Sequence, residues 1–348
     1  MTVAAEARDL EVVRAGLQHW LTARHPEADE VRVGPLGQPT SGYSSETLLV
    51  DAVRVTRGHE VDDHYVARLP PAGGGIFPDY DLTRQAEVQA ALLKRSIPAA
   101  APVTVELDER WVGAPFFLME RVEGDTLTEG YVAAGRLQEA TPEVQRKVHT
   151  EFLDALADVH RLDWDQLGLG VLTPPGERGL VHDIARAEEY AAWAADGSVP
   201  AVLTDAVAWL RSNRPDPEPP LSLCWGDPRL GNVVYGADFS QHALIDWEMA
   251  SISPAEMDLA WFVGLHDITA RGSGGDLPGF LTHDDALARW ADRMGRAVVD
   301  YEWFEVMSLL RSDSIFLRIR TMLLAAGMDE PWLRGETPGQ IRIASLIR

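Results

Sequence analysis

The first third of the chain alternates between helical and strand-like spacing of its apolar residues. Leu10, Val13, Leu17 and Leu21 recur every three or four residues, which predicts an amphipathic helix over residues 6–24. Four strands are predicted where short β-prone runs occur, at 46–50, 64–69, 103–107 and 114–120. Residues 82–95 return to helical spacing. The pattern therefore predicts a sheet-rich first third.

Helical spacing dominates after Gly124. The predicted long helices cover residues 141–161, 183–195, 200–212 and 301–325. The exception is a hairpin, predicted from β-prone runs at 233–235 and 242–244 that a Gly/Asp/Ser turn joins. A sheet-rich first third and a helix-rich remainder indicate two domains, 1–120 and 121–348, with a hinge near 119–125.

Composition narrows the classes of partner. The chain has 348 residues and a formal net charge of −23, with no run of Lys or Arg, so we expect neither nucleic acid nor an anionic membrane as a partner. A cationic ligand is favoured electrostatically, although acidity more often reflects solubility. The single cysteine, Cys224, excludes an intrachain disulfide, and no apolar run is long enough to span a bilayer. We expect a cytoplasmic protein.

Carboxylates and an amide cluster around the predicted hairpin. Asp227 lies in a tight loop, Asn232 follows five residues later, and Asp246 comes directly after the hairpin. Transfer of a γ-phosphoryl group needs a carboxylate near the acceptor hydroxyl and hard oxygen ligands for Mg²⁺, which these residue types supply. Arg229 could neutralise phosphate charge. The alternative is an Asp turn in a surface loop, followed by an unrelated strand.

The motifs Trp-Gly-Asp-x-Arg-x-Gly-Asn at 225–232, Ile-Asp-Trp-Glu at 245–248 and Asp-Leu-Ala at 258–260 resemble the aminoglycoside phosphotransferase/choline kinase family. They look most like a subgroup related to the kinase-like domains fused to acyl-CoA dehydrogenases. The resemblance extends over about residues 30 to 325. It implies an α+β, protein-kinase-like bilobal fold, with a small antiparallel-sheet N-lobe for the nucleotide and a larger helical C-lobe. It also implies that Asp227 is the catalytic base and that Asn232 and Asp246 bind Mg²⁺. The family usually has His where this chain has Trp225, and we expect that tryptophan to pack the loop and to offer one N–H donor.

Related kinases grip the α- and β-phosphates with a strand lysine that pairs with a helical Glu. Both lysines of this chain fall in helical patterns, so we predict that Arg68 takes that role, with Glu87 as its partner. The 40–47 turn, with Ser44 and Ser45, lies where the family places its phosphate-covering loop. The backbone of Glu120 and Val122 is predicted to meet the adenine edge. No Walker or Rossmann glycine motif is present.

The expected function is transfer of a phosphoryl group from ATP, with Mg²⁺, to a hydroxyl of a small molecule; GTP is the alternative donor. The acceptor is either aminoglycoside-like, which the acidity favours, or hydroxyacyl-like, which the tryptophans favour. Trp225 and the missing lysine motivate a second hypothesis, a nucleotide-binding pseudokinase without turnover.

We expect His160 to pack within a helix and Asp258 to tie loop backbone together. The oligomeric state stays open.

Overall fold

The computed structural model describes residues 8–39, 44–127, 132–273, 275–328, 330 and 333–348. Its contacts divide the chain into two compact units. The first comprises Met1–Ala90 and Ala100–Val122, and the second comprises Ala91–Ala99 and Glu123–Arg348.

The first unit contains a five-stranded antiparallel sheet. Its elements are α1 (Leu10–Arg24), β1 (Glu30–Val33), β2 (Glu46–Thr56), β3 (His59–Leu69), α2 (Leu82–Leu93, which continues past the unit's boundary), β4 (Pro102–Glu106) and β5 (Phe116–Glu120). The strand order is β1-β2-β3-β5-β4. Asp9 caps α1 by accepting from the backbone N–H of Glu11, and Trp20 of that helix packs edge-on against Phe116 of β5. The predicted sheet is thus confirmed.

Two features of this sheet were not anticipated. The strand β1 was missed, although its side chains alternate between exposed and buried. Strands β2 and β3 also run further than predicted, because their outer halves carry charged residues that pair across the strands. Arg54 forms an ion pair with Asp63, and Asp51 lies opposite His64. Cross-strand pairs of opposite charge stabilise a sheet without an apolar pattern, so hydrophobic alternation could not reveal these segments.

The second unit is mainly helical. Its helices are α3 (Pro142–His160), α4 (Leu180–Ala195), α5 (Ala201–Ser212), α6 (Glu256–Gly272), α7 (His283–Met294), α8 (Tyr301–Ala325) and α9 (Pro338–Leu346). Helix α8 carries buried residues on several sides, Trp303, Phe304, Val306, Met307, Leu309 and Leu310, which is typical of a central helix. None of the described helices is long and apolar enough to cross a bilayer.

Short strands interrupt these helices and position the loop motifs at 225–232 and 245–248. Strand β7 (Leu221–Cys224) pairs antiparallel with β10 (Ser251–Pro254). The predicted hairpin is confirmed as β8 (Val233–Tyr235) and β9 (Gln241–Leu244), and β6 (Asp125–Thr126) adds to its edge. The segment 225–232 therefore begins at the end of one small sheet and ends at the start of another.

Candidate active site

The loop that carries Asp227 leaves β7 through a turn that needs glycine. Gly226 has a φ of +92°, a left-handed conformation that side chains rarely adopt. A Cβ atom at this position would lie 2.2 Å from the backbone oxygen of Met249. The close approach of these two backbone segments leaves no room for any other residue, and it fixes the direction in which Asp227 leaves the strand.

Three side chains hold the Asp227 carboxylate. Its Oδ1 accepts from the Trp261 indole N–H at 2.9 Å, and its Oδ2 accepts from Arg229 Nε at 2.9 Å and Asn232 Nδ2 at 3.0 Å. Asn232 Nδ2 also donates to the Asp227 backbone oxygen at 2.9 Å, so both hydrogens of the amide point towards residue 227. The carboxylate therefore has one orientation, and the Asn232 amide oxygen faces away from it.

Burial raises the pKa of the Asp227 carboxyl above its usual range, because the charged form loses water. The positive charge of Arg229 opposes this effect, while the negative charge of Asp246 adds to it. The Asp227 side chain is 16% exposed, so it can still be reached from solvent. A partly exposed carboxylate with a raised pKa is well suited to accept a proton.

Trp225 and Asp246 are linked through the backbone. Asp246 has a φ of +65°, unusual for a residue with a side chain. The indole N–H of Trp225 donates to the backbone oxygens of Ile245 at 2.9 Å and Asp246 at 3.2 Å. Trp225 is fully buried and stacks on Trp247 at 5.0 Å between ring centroids. The tryptophan that replaces the family's usual histidine thus supports the segment that carries Asp246.

A buried row of hydrogen bonds anchors the start of the loop. Asp258 accepts from the backbone N–H of Trp225 at 2.5 Å and of Gly226 at 2.9 Å. His160 Nδ1 accepts from the Trp290 indole, which can only donate, so His160 carries its proton on Nε2 and donates it to Asp258 at 3.1 Å. As expected, Asp258 ties loop backbone together and His160 packs within the helical unit.

Cys224 completes a fully buried group with His160 and Asp258, whose side-chain ligand atoms lie within 4.8 Å of one another. The Cys224 thiol hydrogen-bonds to the backbone oxygen of Ser253 at 3.3 Å, and burial raises its pKa well above the usual range. A protonated, hydrogen-bonded thiol is a poor metal ligand. We interpret this group as part of the core, as expected for Cys224.

Two side chains next to Asp227 come from distant helices. Trp261 of α6 is buried, as is Trp247, which donates to the Leu244 backbone oxygen. Arg311 of α8 was missed. Its Nη2 donates to the Gly226 backbone oxygen at 3.3 Å, and its guanidinium lies over the Trp261 ring, 5.0 Å from the centroid. No sequence motif marks Arg311, because it lies in an ordinary helical pattern.

The residues predicted to hold the nucleotide all lie in the first unit. Arg68 is 8% exposed on β3, opposite Thr47 and Phe117 in the sheet register. Glu87 lies on the exposed side of α2, whose buried side carries Gln85 and Gln89. The pairing of Arg68 with Glu87 stays a prediction.

The remaining predicted nucleotide residues lie next to strand ends. Ser44 and Ser45 are half-buried in the bend before β2, while residues 40–43 of the same predicted loop lie outside the described part of the chain. Glu120 ends β5, and its backbone N–H donates to the Ala101 oxygen at 2.9 Å. Val122 follows two residues later and is half-buried. Their contacts with a nucleotide stay predictions.

Sequence comparison identifies relatives over most of the chain. The model of the phosphotransferase enzyme family, APH, matches residues 38–299. Human acyl-CoA dehydrogenase family member 11 is 26% identical over 240 residues, which is 65% of this chain and 30% of the human protein. The matched segment thus spans about three tenths of the length of that relative.

Solved structures with the same fold include two small-molecule kinases. Plasmodium vivax ethanolamine kinase matches 96% of this chain and 86% of its own, with a TM-score of 0.61 at 13% identity. The aminoglycoside phosphotransferase APH(4)-Ia, in a ternary complex with ADP and hygromycin B, matches 95% of this chain and 98% of its own, with a TM-score of 0.59 at 15% identity. At these identities the likeness shows the fold, which is protein-kinase-like as predicted. Since the family model covers well over half of the chain, this protein belongs to the APH phosphotransferase enzyme family.

Proposed function

We propose that the chain transfers the γ-phosphoryl group of ATP, with Mg²⁺, to a hydroxyl group of a small molecule. The observation that carries this proposal is the fixed Asp227 carboxylate, which Trp261 and Asn232 orient and whose pKa burial raises. In phosphoryl transfer the protein mainly positions the reactants and stabilises charge, with one carboxylate beside the attacking hydroxyl. In this proposal Asp227 orients the acceptor hydroxyl and accepts its proton.

Asn232 and Asp246 are the proposed Mg²⁺ ligands. Amide and carboxylate oxygens are the hard ligands that Mg²⁺ prefers, so the donor set fits the ion. The orientation of Asn232 also fits, since its amide nitrogen donates to residue 227 and its Oδ1 is left as an acceptor, which accepts from Arg229 Nη2 at 3.4 Å in this structure. Bound Mg²⁺ would neutralise charge on the triphosphate. Trp225 contributes by holding the backbone of Asp246.

Arg229 is proposed to steady the transferring phosphate. Its guanidinium contacts both Asp227 and Asn232, and its side chain is 34% exposed, so it can be reached from solvent. A guanidinium offers five donors in a plane and stays charged at any physiological pH, which suits it to phosphate oxygens.

The nucleotide is proposed to bind the N-terminal domain, 1–120, with the acceptor and the catalytic loop in 121–348. Arg68 and Glu87 would engage the phosphates together with Ser44 and Ser45, and the backbone of Glu120 and Val122 would meet the adenine. The ADP complex of APH(4)-Ia supports a nucleotide donor, and GTP is the alternative to ATP. The two kinases named above have different acceptors in their names, and both an aminoglycoside-like and a hydroxyacyl-like acceptor are compatible with this proposal.

Nucleotide-dependent turnover of matched aspartate variants tests this function. Asp246→Asn should abolish Mg²⁺-dependent release of ADP, because it removes the only charged ligand of the proposed pair. Asp196→Asn is the matched control, since Asp196 also has a positive φ, +43°, but lies exposed at the end of α4. The wild type should also melt at a higher temperature with Mg-ATP than without it.

The same experiment decides between an enzyme and a pseudokinase module. Stabilisation by Mg-nucleotide without ADP release, across a library of hydroxyl compounds, would favour the module. Equal ADP release by Asp246→Asn and Asp196→Asn would remove Asp246 from the mechanism. If neither ATP nor GTP changed the melting temperature at millimolar concentration, the nucleotide donor itself would be excluded.

A further inference from the structure

The guanidinium of Arg311 lies beside the loop that carries Asp227. One of its nitrogens donates to the backbone oxygen of Gly226 at 3.3 Å, immediately before Asp227. Its guanidinium carbon lies over the Trp261 ring, 5.0 Å from the centroid, and the indole N–H of that ring donates to Asp227 Oδ1 at 2.9 Å. Arg311 is half-buried. A single indole therefore separates this cation from the proposed catalytic base.

Several helical arginines of this unit have a carboxylate partner, whereas none is found for Arg311 among the residues that the structure describes. Bidentate pairs join Arg289 to Asp154, Arg293 to Asp158 and Arg342 to Glu305. Among the residues that the structure describes, no carboxylate lies within 4.0 Å of Arg311. Four of its five N–H donors remain after the bond to Gly226, on a half-buried cation that has lost part of its water.

Carboxylates near this region already have other donors. Asp183, whose charge interacts with that of Arg311, accepts from Ser253 at 2.6 Å and from Arg186 at 2.5 Å. Both Asp258 oxygens are used by backbone N–H groups and His160. Both carboxylates therefore take their hydrogen bonds from other donors, and among the described residues neither accepts from Arg311.

We propose that Arg311 binds an anionic group of the acceptor, so the substrate class is a hydroxyl compound that carries a carboxylate or phosphate. This inference rests on the proposed function, because it takes the acceptor hydroxyl to lie at Asp227. The buried Trp261 ring, which is 4% exposed, would hold the guanidinium group beside the loop that carries Asp227. Guanidinium groups bind carboxylate and phosphate through paired, charge-assisted hydrogen bonds, which suits both anions.

The local charges argue against a polycationic acceptor. Arg229 is paired with Asp227, so Arg311 is the guanidinium group whose charge the ammonium groups of an aminoglycoside would meet beside this loop. The net charge of −23 is spread over the whole chain, and at physiological ionic strength salt screens charges that lie more than about 8 Å away. The charge of Arg311 next to the loop therefore favours an anionic group there, whatever the net charge of the whole chain.

Calorimetric binding of four matched probes, in the presence of Mg-ADP, tests the proposal. Glycerate supplies a carboxylate and glycerol phosphate a phosphate, whereas glycerol is neutral and kanamycin is polycationic. We expect at least one of the two anions to bind the wild type at millimolar concentration, with glycerol and kanamycin weaker. Arg311→Gln should weaken binding of that anion about 10- to 100-fold, the loss expected for charge-assisted hydrogen bonds. The anion that binds better identifies the source of the charge.

Arg318→Gln is the matched control. Arg318 lies two turns further along α8 on the same face, and its guanidinium also covers an indole, Trp193, at 4.5 Å. It is a full seven residues from Arg311, so we expect this variant to bind the anions as the wild type does. If the effect came only from removing a positive charge from α8, both variants would bind the anions equally weakly.

Three outcomes would overturn the proposal: neither anion binds, Arg311→Gln binds the anion as tightly as Arg318→Gln does, or kanamycin binds more tightly than both anions. The failure of the proposed function would look different. Anion binding that depends on Arg311, in a protein without Mg²⁺-dependent ADP release, would retain the anion site and refute phosphoryl transfer. Release of ADP stimulated by kanamycin or glycerol, but by neither anion, would retain phosphoryl transfer and refute the anion site.

Discussion

Replacing Trp225 by phenylalanine would separate the hydrogen bond of this residue from its packing. Phenylalanine keeps an aromatic ring between Trp247 and Phe152, which lie 5.0 and 5.9 Å from the Trp225 centroid. It removes the N–H that donates to the backbone oxygens of Ile245 and Asp246. The substitution therefore tests whether Trp225 supports the proposed metal ligand or only fills the core.

The expected loss of stability follows from these contacts. A buried neutral hydrogen bond contributes about 0.5–1.5 kcal/mol, and the smaller ring adds a small void, so Trp225→Phe should lower the free energy of unfolding by about 2 kcal/mol. Asp246 is the residue whose backbone loses support, and its left-handed conformation costs about 1 kcal/mol by itself. We therefore expect the Mg²⁺ concentration for half-maximal ADP release to rise by about tenfold, the equivalent of 1.4 kcal/mol.

Trp303→Phe provides the control for this experiment. Trp303 is also buried, and its indole N–H donates to the Leu210 backbone oxygen at 3.0 Å, within the helical core and away from the loop. Urea denaturation should show a similar loss of stability for the two variants, while only Trp225→Phe changes the Mg²⁺ dependence. If Trp225→Phe lost stability but kept the wild-type Mg²⁺ dependence, Trp225 would have no role beyond packing.

Two further predictions concern the backbone of the loop and a buried acid. Gly226→Ala should lower the free energy of unfolding by at least about 3 kcal/mol and abolish ADP release, because a Cβ atom would clash with the Met249 backbone. Gly295 also has a positive φ, +69°, but no atom lies within 4 Å of the position of its Cβ, so Gly295→Ala should cost only about 1 kcal/mol. Burial raises the pKa of Asp313 from 3.8 to about 6. The free energy of unfolding of the wild type, measured relative to that of Asp313→Asn, should therefore fall by up to about 3 kcal/mol as the pH rises from about 4 to 7.

Each of these predictions has a clear contrary result. Equal destabilisation of the two alanine variants, measured by urea denaturation, would show that the contact with Met249 relaxes easily. The direction of the pH effect at Asp313 follows from proton linkage. Because its pKa is higher in the folded state than in the unfolded state, protonation at low pH stabilises the folded state, and this stabilisation is lost as the pH rises through the folded-state pKa. Parallel profiles of unfolding free energy against pH for the wild type and Asp313→Asn would contradict the raised pKa.

The sequence was informative wherever a local pattern determined the structure. The helix α1 and the β8–β9 hairpin were predicted from apolar spacing and turn residues alone. The grouping of Asp227 with Asn232 was predictable too, since five residues of one tight loop cannot separate them far. Strand β1 was overlooked despite its alternation, because four residues give too weak a signal.

Other features depend on contacts that the chain makes over long distances. Arg311 lies 84 residues after Asp227 in the sequence (311 − 227). Only the packing of α8 against α6 brings its guanidinium group next to Trp261. The orientation of α2 is a second example, because its apolar spacing does not reveal that Gln85 and Gln89 are buried while Glu87 is exposed. Tertiary packing decides which face of a helix is covered, and spacing predicts this only when the buried residues are apolar.

Transfer of labelled γ-phosphate from ATP to a hydroxyl compound, by the wild type and by Asp227→Asn, measures whether Asp227 acts as the base in phosphoryl transfer. The asparagine keeps the size of the side chain and can still accept from Trp261, but it cannot take a proton. We predict that the labelled product forms with the wild type and that Asp227→Asn forms it about 10²- to 10⁴-fold more slowly, the range for loss of a general base. Transfer at the wild-type rate by Asp227→Asn, at equal nucleotide occupancy, would contradict the account.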